Sequence, residues 1–221
     1  MPSCCSSERT HNVAEEKKTR SQAVMEERKA NTARLTAELE ASGYHAEDAT
    51  VSVLKANVMA FVTALPFCIV FHVLFCMLHP EGLRSFSGSS DTLLMTGLML
   101  LSIPVHEGLH GLGWVGSCQN GWKSIQFGVM WSSLTPYCHC REALSVVQYY
   151  IGLLMPFTVL GLIPSAVSLF TGNVFLYLFG VYNLLIAGGD TTIGCIIAKY
   201  LGKDVKILDH PDQCGAAAFV K

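Results

Sequence analysis

The sequence predicts an all-α integral membrane protein, with about four transmembrane helices and a short β-hairpin or re-entrant segment between the second and third. Three observations lead to this fold class. The 221-residue chain is 51% hydrophobic and only 14% charged, which is too apolar for an ordinary soluble domain. Its charged residues concentrate near the two ends of the chain. Between them lie several apolar stretches that each exceed the ~20 helical residues needed to cross a bilayer.

These apolar stretches are the elements that we expect to span the membrane, and they cover residues 56–79, 93–114, 145–170 and 174–198. They contain no Lys or Arg, and their only carboxylates are Glu107 and Asp190. The predicted spans divide the chain into three parts. We expect a cytosolic N-terminal tail that is partly helical or disordered, a four-span membrane domain and a cytosolic C-terminal tail, at residues 1–52, 53–200 and 201–221.

The basic residues near the spans predict which side each loop faces. The N-terminal tail contains no apolar run of the kind found in signal peptides, so we expect it to stay in the cytosol. The same side would then hold most of the basic residues near the spans: Lys55, Lys123, Arg141, Lys199, Lys203 and Lys206. Arg84 is the only basic residue in the loops on the opposite side. This distribution satisfies the positive-inside rule for a multi-pass protein with both termini in the cytosol, and it leaves open which membrane holds the protein.

The cysteines also fit a cytosolic environment. The chain contains nine of them, an odd number scattered through the predicted spans and tails. Such a distribution does not form a disulfide framework, and it is typical of a reducing compartment.

The second span contains a metal-binding pattern, His106-Glu107-x-x-His110. Residues four apart lie on one face of a helix, so both imidazoles can bind one ion while Glu107 points toward the same open position. Two histidines, a carboxylate and a water molecule form a typical ligand set of catalytic zinc, and the adjacent glutamate can act as a general base. The alternative is a core histidine pair that bonds to the glutamate or to carbonyl groups. That alternative is less favoured for a helix in a bilayer, because an unpaired carboxylate is costly there.

Asp190, in the fourth span, is the predicted third ligand. Spans two and four run in the same direction, and at 1.5 Å per residue the histidine pair and Asp190 both lie about 23 Å from the outer boundary. One zinc ion would explain why both carboxylates are tolerated at that depth. A solvated aspartate at a helix end, or an N-cap after Gly188-Gly189, is the alternative. Asn183 lies two turns earlier on about the same face, where it could donate to a substrate carbonyl or only bridge helices.

The residues between spans two and three alternate in a strand pattern. Its apolar positions are Ile125, Phe127, Val129 and Trp131. Ser132-Ser133 followed by Pro136 can turn the chain back, so we expect a hairpin. We expect it to dip into the membrane beside the metal, where a cavity can cover its backbone. A free strand edge could bind a substrate segment as an added strand, which makes Phe127 and Val129 candidate substrate-binding residues.

The hairpin ends in Cys138-His139-Cys140, and its role is left open. Adjacent residues of a strand point to opposite faces, so only the two cysteines could face one ion together. Because no partner pair of ligands is evident, a separate zinc site is the less favoured interpretation. A cysteine nucleophile with His139 as its base is less favoured still, because no nearby residue would orient that base.

These motifs resemble those of a membrane family described as putative zincin peptidases. The resemblance covers roughly residues 90–200 and rests on three segments: His106 to His110, Pro136 to Cys140, and Gly189-Asp190. More distantly, the chain resembles site-2 proteases, which cut membrane-embedded segments with two zinc-binding histidines, a glutamate base and an aspartate from a later helix. That group has Asn-x-x-Pro followed by Asp-Gly. Here the proline after Asn183 is missing, and Thr191 replaces the glycine.

The residues and the resemblance together predict a zinc-dependent membrane metallopeptidase. His106, His110 and Asp190 would bind one Zn²⁺ ion, and Glu107 would act as base and then as acid. We expect a peptide substrate in or near the bilayer and no nucleic-acid partner, while a lipid ester or amide substrate and the oligomeric state stay open. The alternative is a non-catalytic zinc-binding membrane protein that handles metal or holds client helices. A transporter would need polar groups along its path, which spans one and three lack.

Overall fold

The structure, a computed structural model, describes residues 4–86, 88–130, 135–211 and 213–221. It begins with a long helix, α1 (Cys4–Ala41), and a strand, β1 (His45–Val51). Both precede the first apolar helix. The rest of the described chain combines a bundle of apolar helices with two small antiparallel sheets.

The apolar helices correspond to the predicted spans. They are α2 (Val53–Leu78), α3 (Ser89–Val115), α4 (Val146–Pro156) with a π-helical segment (Phe157–Leu162) and α5 (Ile163–Thr171), and the pair α6 (Val174–Ile186) and α7 (Gly188–Ile197). Among the described residues, 3 helical stretches are long and apolar enough to cross a bilayer. The last pair bends by 47° and makes a further candidate if it is taken as one span.

The ends of these helices follow from local sequence signals. The side chain of Ser145 accepts a hydrogen bond from the amide of Gln148 in a capping box, which starts α4. Gly172, with φ of +67°, ends α5 in the left-handed conformation that glycine adopts most easily. Asn173 then caps α6 by accepting from the amide of Leu176. A sharp reversal therefore separates α5 from α6.

The outer faces of the helices are apolar. In α2, for example, Phe61 and Ile69 are 56% and 55% exposed, and many of the other large side chains of this helix are also exposed. Soluble proteins rarely present such a continuous apolar surface, whereas hydrocarbon requires one. The exposed surface of the bundle is therefore suited to a lipid environment.

The segments that flank the spans form a four-stranded antiparallel sheet in the order β1-β6-β5-β4. Its other strands are β4 (Leu144–Ser145), β5 (Val205–Asp209) and β6 (Cys214–Val220). β1 pairs with β6 from His45 opposite Val220 to Val51 opposite Cys214. The prediction of an all-α fold with a single hairpin needs correction, because strands from within 1–52 and 201–221 pair with each other.

The predicted hairpin is confirmed. β2 (Ile125–Met130) and β3 (Thr135–Cys140) pair in antiparallel register, with Ile125 opposite Cys140. Two contacts with Arg141, which follows β3, join α1 to the hairpin. Asn31 Nδ2 donates to the Arg141 carbonyl at 2.9 Å, and Glu27 pairs with its guanidinium at 2.7 Å. The predicted turn residues Trp131, Ser132 and Ser133 lie outside the described residues.

Candidate metal centre

Two histidines of α3 and one aspartate of α7 converge inside the helix bundle. His106 Nε2 lies 3.1 Å from Asp190 Oδ2, and His110 Nε2 lies 3.4 Å from Asp190 Oδ1. Their possible ligand atoms lie within 4.8 Å of one another. In the described part of the chain, no other group of three or more His, Cys, Asp or Glu side chains is close enough to hold a metal ion. The structure therefore brings together the three ligands predicted from the sequence.

The donor set of this cluster fits a divalent cation. His110 Nδ1 lies 2.9 Å from the carbonyl oxygen of Gly152, and because a carbonyl can only accept, Nδ1 carries the proton. Nε2 of His110 then directs a lone pair toward the Asp190 carboxylate. A lone pair and a carboxylate oxygen repel unless a proton or a cation lies between them. Two imidazoles and one carboxylate are a ligand set typical of zinc, so these residues could hold that ion.

Two glycines bring the backbone of α4 close enough to orient His110. A Cβ atom at Gly113 of α3 would lie 2.5 Å from Cα of Gly152 in α4, and a Cβ atom at Gly152 would collide with the indole of Trp114. That indole donates from Nε1 to the Tyr149 carbonyl at 2.9 Å and stacks on the His110 ring. Only glycine at both positions allows this close approach, which places the Gly152 carbonyl beside His110.

The break between α6 and α7 directs Asp190 toward the histidines. A Cβ atom at Gly188 would collide with the carbonyl of Ala60, so the break packs directly against α2. There Thr63 Oγ1 donates to the Gly188 carbonyl at 3.1 Å and accepts from Thr191 Oγ1 at 2.8 Å. Thr191 therefore bridges α7 to α2. Asp190 lies in the first turn of α7, where the helix dipole favours a negative charge.

Glu107 faces a cavity of about 520 Å³ together with the three candidate ligands. The backbone amide of Cys138 in β3 lies near its carboxylate. The other cavity walls come mainly from α1, α4, α7, the end of β5 and the turn that follows it. The cavity is large enough for a short segment of a ligand, and it places the glutamate and the candidate metal ligands in one enclosure.

Asp209, at the end of β5, is a second buried carboxylate in this cavity. Its Oδ2 accepts from the Cys140 amide at 2.8 Å, and its Oδ1 accepts from the Tyr149 hydroxyl. His139 Nδ1 lies 3.6 Å from Oδ2. Asp209 therefore connects β3, β5 and α4. The sequence analysis missed it because it lies in a predicted tail, where a single aspartate after an apolar pair is a weak signal.

Cys138-His139-Cys140 does not form a separate metal site among the described residues. Cys138 lines the cavity, while Cys140 is buried with its Sγ 3.6 Å from Cys118 Sγ. Burial raises the pKa of both the Cys138 and Cys140 thiols, so they stay protonated and are poor nucleophiles. Burial likewise lowers the pKa of His139. Cys138 and His139 contribute to a wall of the cavity.

The three predicted substrate-binding residues lie outside the lining of this cavity. Asn183 is 1% exposed, and its Nδ2 donates to the Phe179 carbonyl within α6. Its Oδ1 is buried and finds no hydrogen-bond partner in the described part of the chain. Phe127 and Val129 are exposed on the hairpin, and the Phe127 ring packs against Gly111 of α3. A role for these residues in substrate binding stays a prediction.

The fold and the site define a class of protein, namely a helix bundle with candidate membrane spans and a His-His-Asp cluster beside a glutamate. Residues 99–203 match the model of the family described as "Putative zincin peptidase", which confirms the resemblance to that family. The matched segment includes both histidines, Glu107, the hairpin and Asp190. No curated protein and no solved structure gives a significant match to the chain. The family description implies zinc as the metal.

Proposed function

We propose that the protein is a zinc-dependent membrane metallopeptidase that hydrolyses peptide bonds in or near the bilayer. The convergence of His106, His110 and Asp190 in one cavity with Glu107 carries this proposal. The family match supports it, because zincins are peptidases that use zinc. The likeness to site-2 proteases, with two histidines and an aspartate from a later helix, stays part of the proposal.

Each residue of the site has a role in the proposed reaction. His106, His110 and Asp190 would hold the zinc ion, which when bound supplies a Lewis acid that polarises water and the scissile carbonyl. Glu107 takes a proton from the attacking water as the water oxygen bonds to the carbonyl carbon. It then gives that proton to the leaving amine nitrogen as the C–N bond breaks. The carbonyl of Gly152 holds His110 in the tautomer that leaves Nε2 free for the metal.

We propose that the substrate lies along β3 inside the cavity. The amide of Cys140 points away from β2, because it donates to Asp209, and the amide of Cys138, two residues earlier on the same strand, points the same way toward Glu107. The free edge of β2, which carries Phe127, is therefore on the far side of the hairpin from Glu107. A strand added to that edge would lie about 10 Å from β3, which is two strand spacings. A scissile bond beside β3 is better placed to reach the base.

We also infer that the chain crosses the membrane four times, with both ends on the same side. β1 precedes the first span and β6 follows the last, and the two strands pair directly. Direct pairing requires an even number of crossings, so the bent pair α6 and α7 counts as one span. β4 lies between spans two and three and joins the same sheet through β5, as expected after two crossings. The basic residues predict that this side is cytosolic.

Metal analysis and cleavage by matched variants test the proposed function. The purified chain should contain one zinc ion, and His106→Ala and Asp190→Ala should lose it. Glu107→Gln should keep the ion while cleavage falls about 10²- to 10⁴-fold, because only the proton-transfer group is removed. Mass spectrometry of products from a mixed peptide library measures the cleavage. A chain that binds zinc but shows no cleavage dependent on Glu107 would favour the non-catalytic alternative, and a chain without zinc would refute the proposal.

A further inference from the structure

Arg28 of α1 is the only Lys or Arg among the described residues that line the cavity. It is only 6% exposed, although arginine stays charged at all physiological pH values. A buried charge is costly unless hydrogen bonds or an opposite charge compensate it. Asp209 lines the same cavity and interacts electrostatically with Arg28, so it explains the position of this guanidinium in part.

Two contacts hold the Arg28 guanidinium in place. Its Nε donates to Oε1 of Gln126 in β2 at 2.8 Å, and its carbon atom Cζ lies 4.1 Å from the centre of the Tyr137 ring. These contacts orient the group but leave donor capacity unused. Nη2 is buried and has no hydrogen-bond partner among the described residues. A buried donor without a partner is rare in folded proteins and indicates a missing acceptor.

Arg28 lies close to the residues proposed to carry out the reaction. Tyr137, on which its guanidinium stacks, is followed in β3 by Cys138, whose amide lies near Glu107. Successive residues of a strand are about 3.3 Å apart, so a ligand along β3 would pass both the base and the guanidinium. Arg28 and Glu107 line the same cavity of about 520 Å³.

We propose that Arg28 binds a carboxylate of the substrate, either the α-carboxylate of a chain end or an acidic side chain near the scissile bond. This inference rests on the proposed function and specifies its substrate class. A carboxylate supplies the acceptor that Nη2 lacks and compensates the buried charge, which a neutral carbonyl does not. The limited volume of the cavity favours a chain end over a segment that passes through.

Binding of matched acid and amide probes tests this role. The full-length Glu107→Gln protein, loaded with zinc in detergent, is titrated by calorimetry with N-acetyl-leucyl-leucine, with its C-terminal amide, and with N-acetyl-aspartyl-leucinamide. We expect at least one carboxylate probe to bind about tenfold to hundredfold more tightly than the neutral amide, since one charge-assisted hydrogen bond distinguishes them. Whichever acid shows the preference identifies the α-carboxylate or the side chain as the group bound.

Two arginine variants test whether Arg28 causes the preference for acid over amide probes. Adding Arg28→Gln should abolish the difference between acid and amide while zinc content stays the same. Arg34→Gln is the matched control, because Arg34 lies on the same helix with its side chain 61% exposed and paired with Glu38. It should leave the preference unchanged. A preference that survives Arg28→Gln would overturn the proposal.

The probes also separate this inference from the proposed function. Equal affinity for acids and amide, or no binding of either acid, would overturn the role of Arg28 even if Arg28→Gln fails to fold. Zinc content and Glu107-dependent cleavage are measured independently of these affinities. A peptidase without carboxylate preference would refute only the inference drawn from Arg28.

Discussion

At the level of single residues, Glu142 connects the end of α3 to the hairpin. Its carboxylate accepts hydrogen bonds from the amides of Gln119 and Asn120, from the Asn120 side chain and from the Ser124 hydroxyl. The donors belong to the loop after α3, and Glu142 follows β3. The Glu142 carboxylate therefore fixes α3, which carries the two histidines, relative to β3, which lies beside Glu107.

These hydrogen bonds predict a pH dependence of stability. Burial alone would raise the pKa of Glu142, but the donors from Ser124, Gln119 and Asn120 outweigh it and lower the pKa below its usual value of 4.5. A lowered pKa means that the unfolded chain binds the proton more tightly. The stabilisation is therefore present above about pH 4.5 and is lost as the pH falls through the folded-state pKa.

We expect Glu142→Gln to have a lower melting temperature than the unmodified protein at neutral pH. The difference between the two melting temperatures should become smaller as the pH falls to about 3. Thermal unfolding monitored by intrinsic fluorescence across this range measures the difference. Glu40→Gln, at an exposed position of α1, is the control and should change little. A constant difference between Glu142→Gln and the unmodified protein at all pH values would show that protonation of Glu142 does not matter.

At the level of secondary-structure elements, three glycines of α3 differ in what packs against them. Gly113 meets the backbone of α4, and Gly111 meets the Phe127 and Ile125 side chains of β2. A Cβ atom at Gly108, in contrast, would meet nothing within 4 Å. Which neighbour uses each glycine depends on how the helices and the hairpin assemble.

We expect Gly113→Ala to weaken zinc binding about tenfold to hundredfold. The added methyl group would push α4 away and remove the Gly152 carbonyl from His110, and loss of such a supporting contact typically has this effect on metal affinity. Competition with a coloured chelator measures the affinity. Gly108→Ala is the matched control on the same helix and should bind zinc as the unmodified protein does. Equal affinities in both variants would contradict the role assigned to the α3–α4 contact.

At the scale of the whole molecule, the sheet of flanking strands constrains the path through the membrane. Strands that come before the first span, between the second and third, and after the last are all paired in it. In the proposed four-span topology, each therefore lies on the same side of the bilayer. The short connections between α2 and α3 and between α5 and α6 would then lie on the opposite side.

This arrangement predicts the accessibility of epitope tags. Tags at the two chain ends should both be protected from protease in intact cells and both become accessible after selective permeabilisation. A tag inserted after Arg84, in the exposed turn between α2 and α3, should differ from both: it should be accessible in intact cells if the protein lies in the plasma membrane, and it should stay protected after selective permeabilisation if the protein lies in an internal membrane. If the two terminal tags fell on opposite sides, the number of crossings would be odd and β1 could not pair with β6.

The sequence alone was sufficient for features that depend on local pattern and on the cost of charge in hydrocarbon. The spans, the hairpin between them and the convergence of His106, His110 and Asp190 follow from apolar length, from period-two alternation and from two carboxylates at matching depth. Each of these signals lies within a single element or follows from a count along it. A rise per residue and a bilayer thickness therefore suffice to interpret them.

The tertiary structure decided the features that depend on contacts between distant segments. β1 and β6 are separated by most of the chain, and the short, alanine-rich β6 has little strand propensity of its own. Arg28 and Asp209 lie in parts of the chain that the sequence marked as tails, yet both line the cavity. Their roles arise from long-range pairing and burial, which no local pattern of residues encodes.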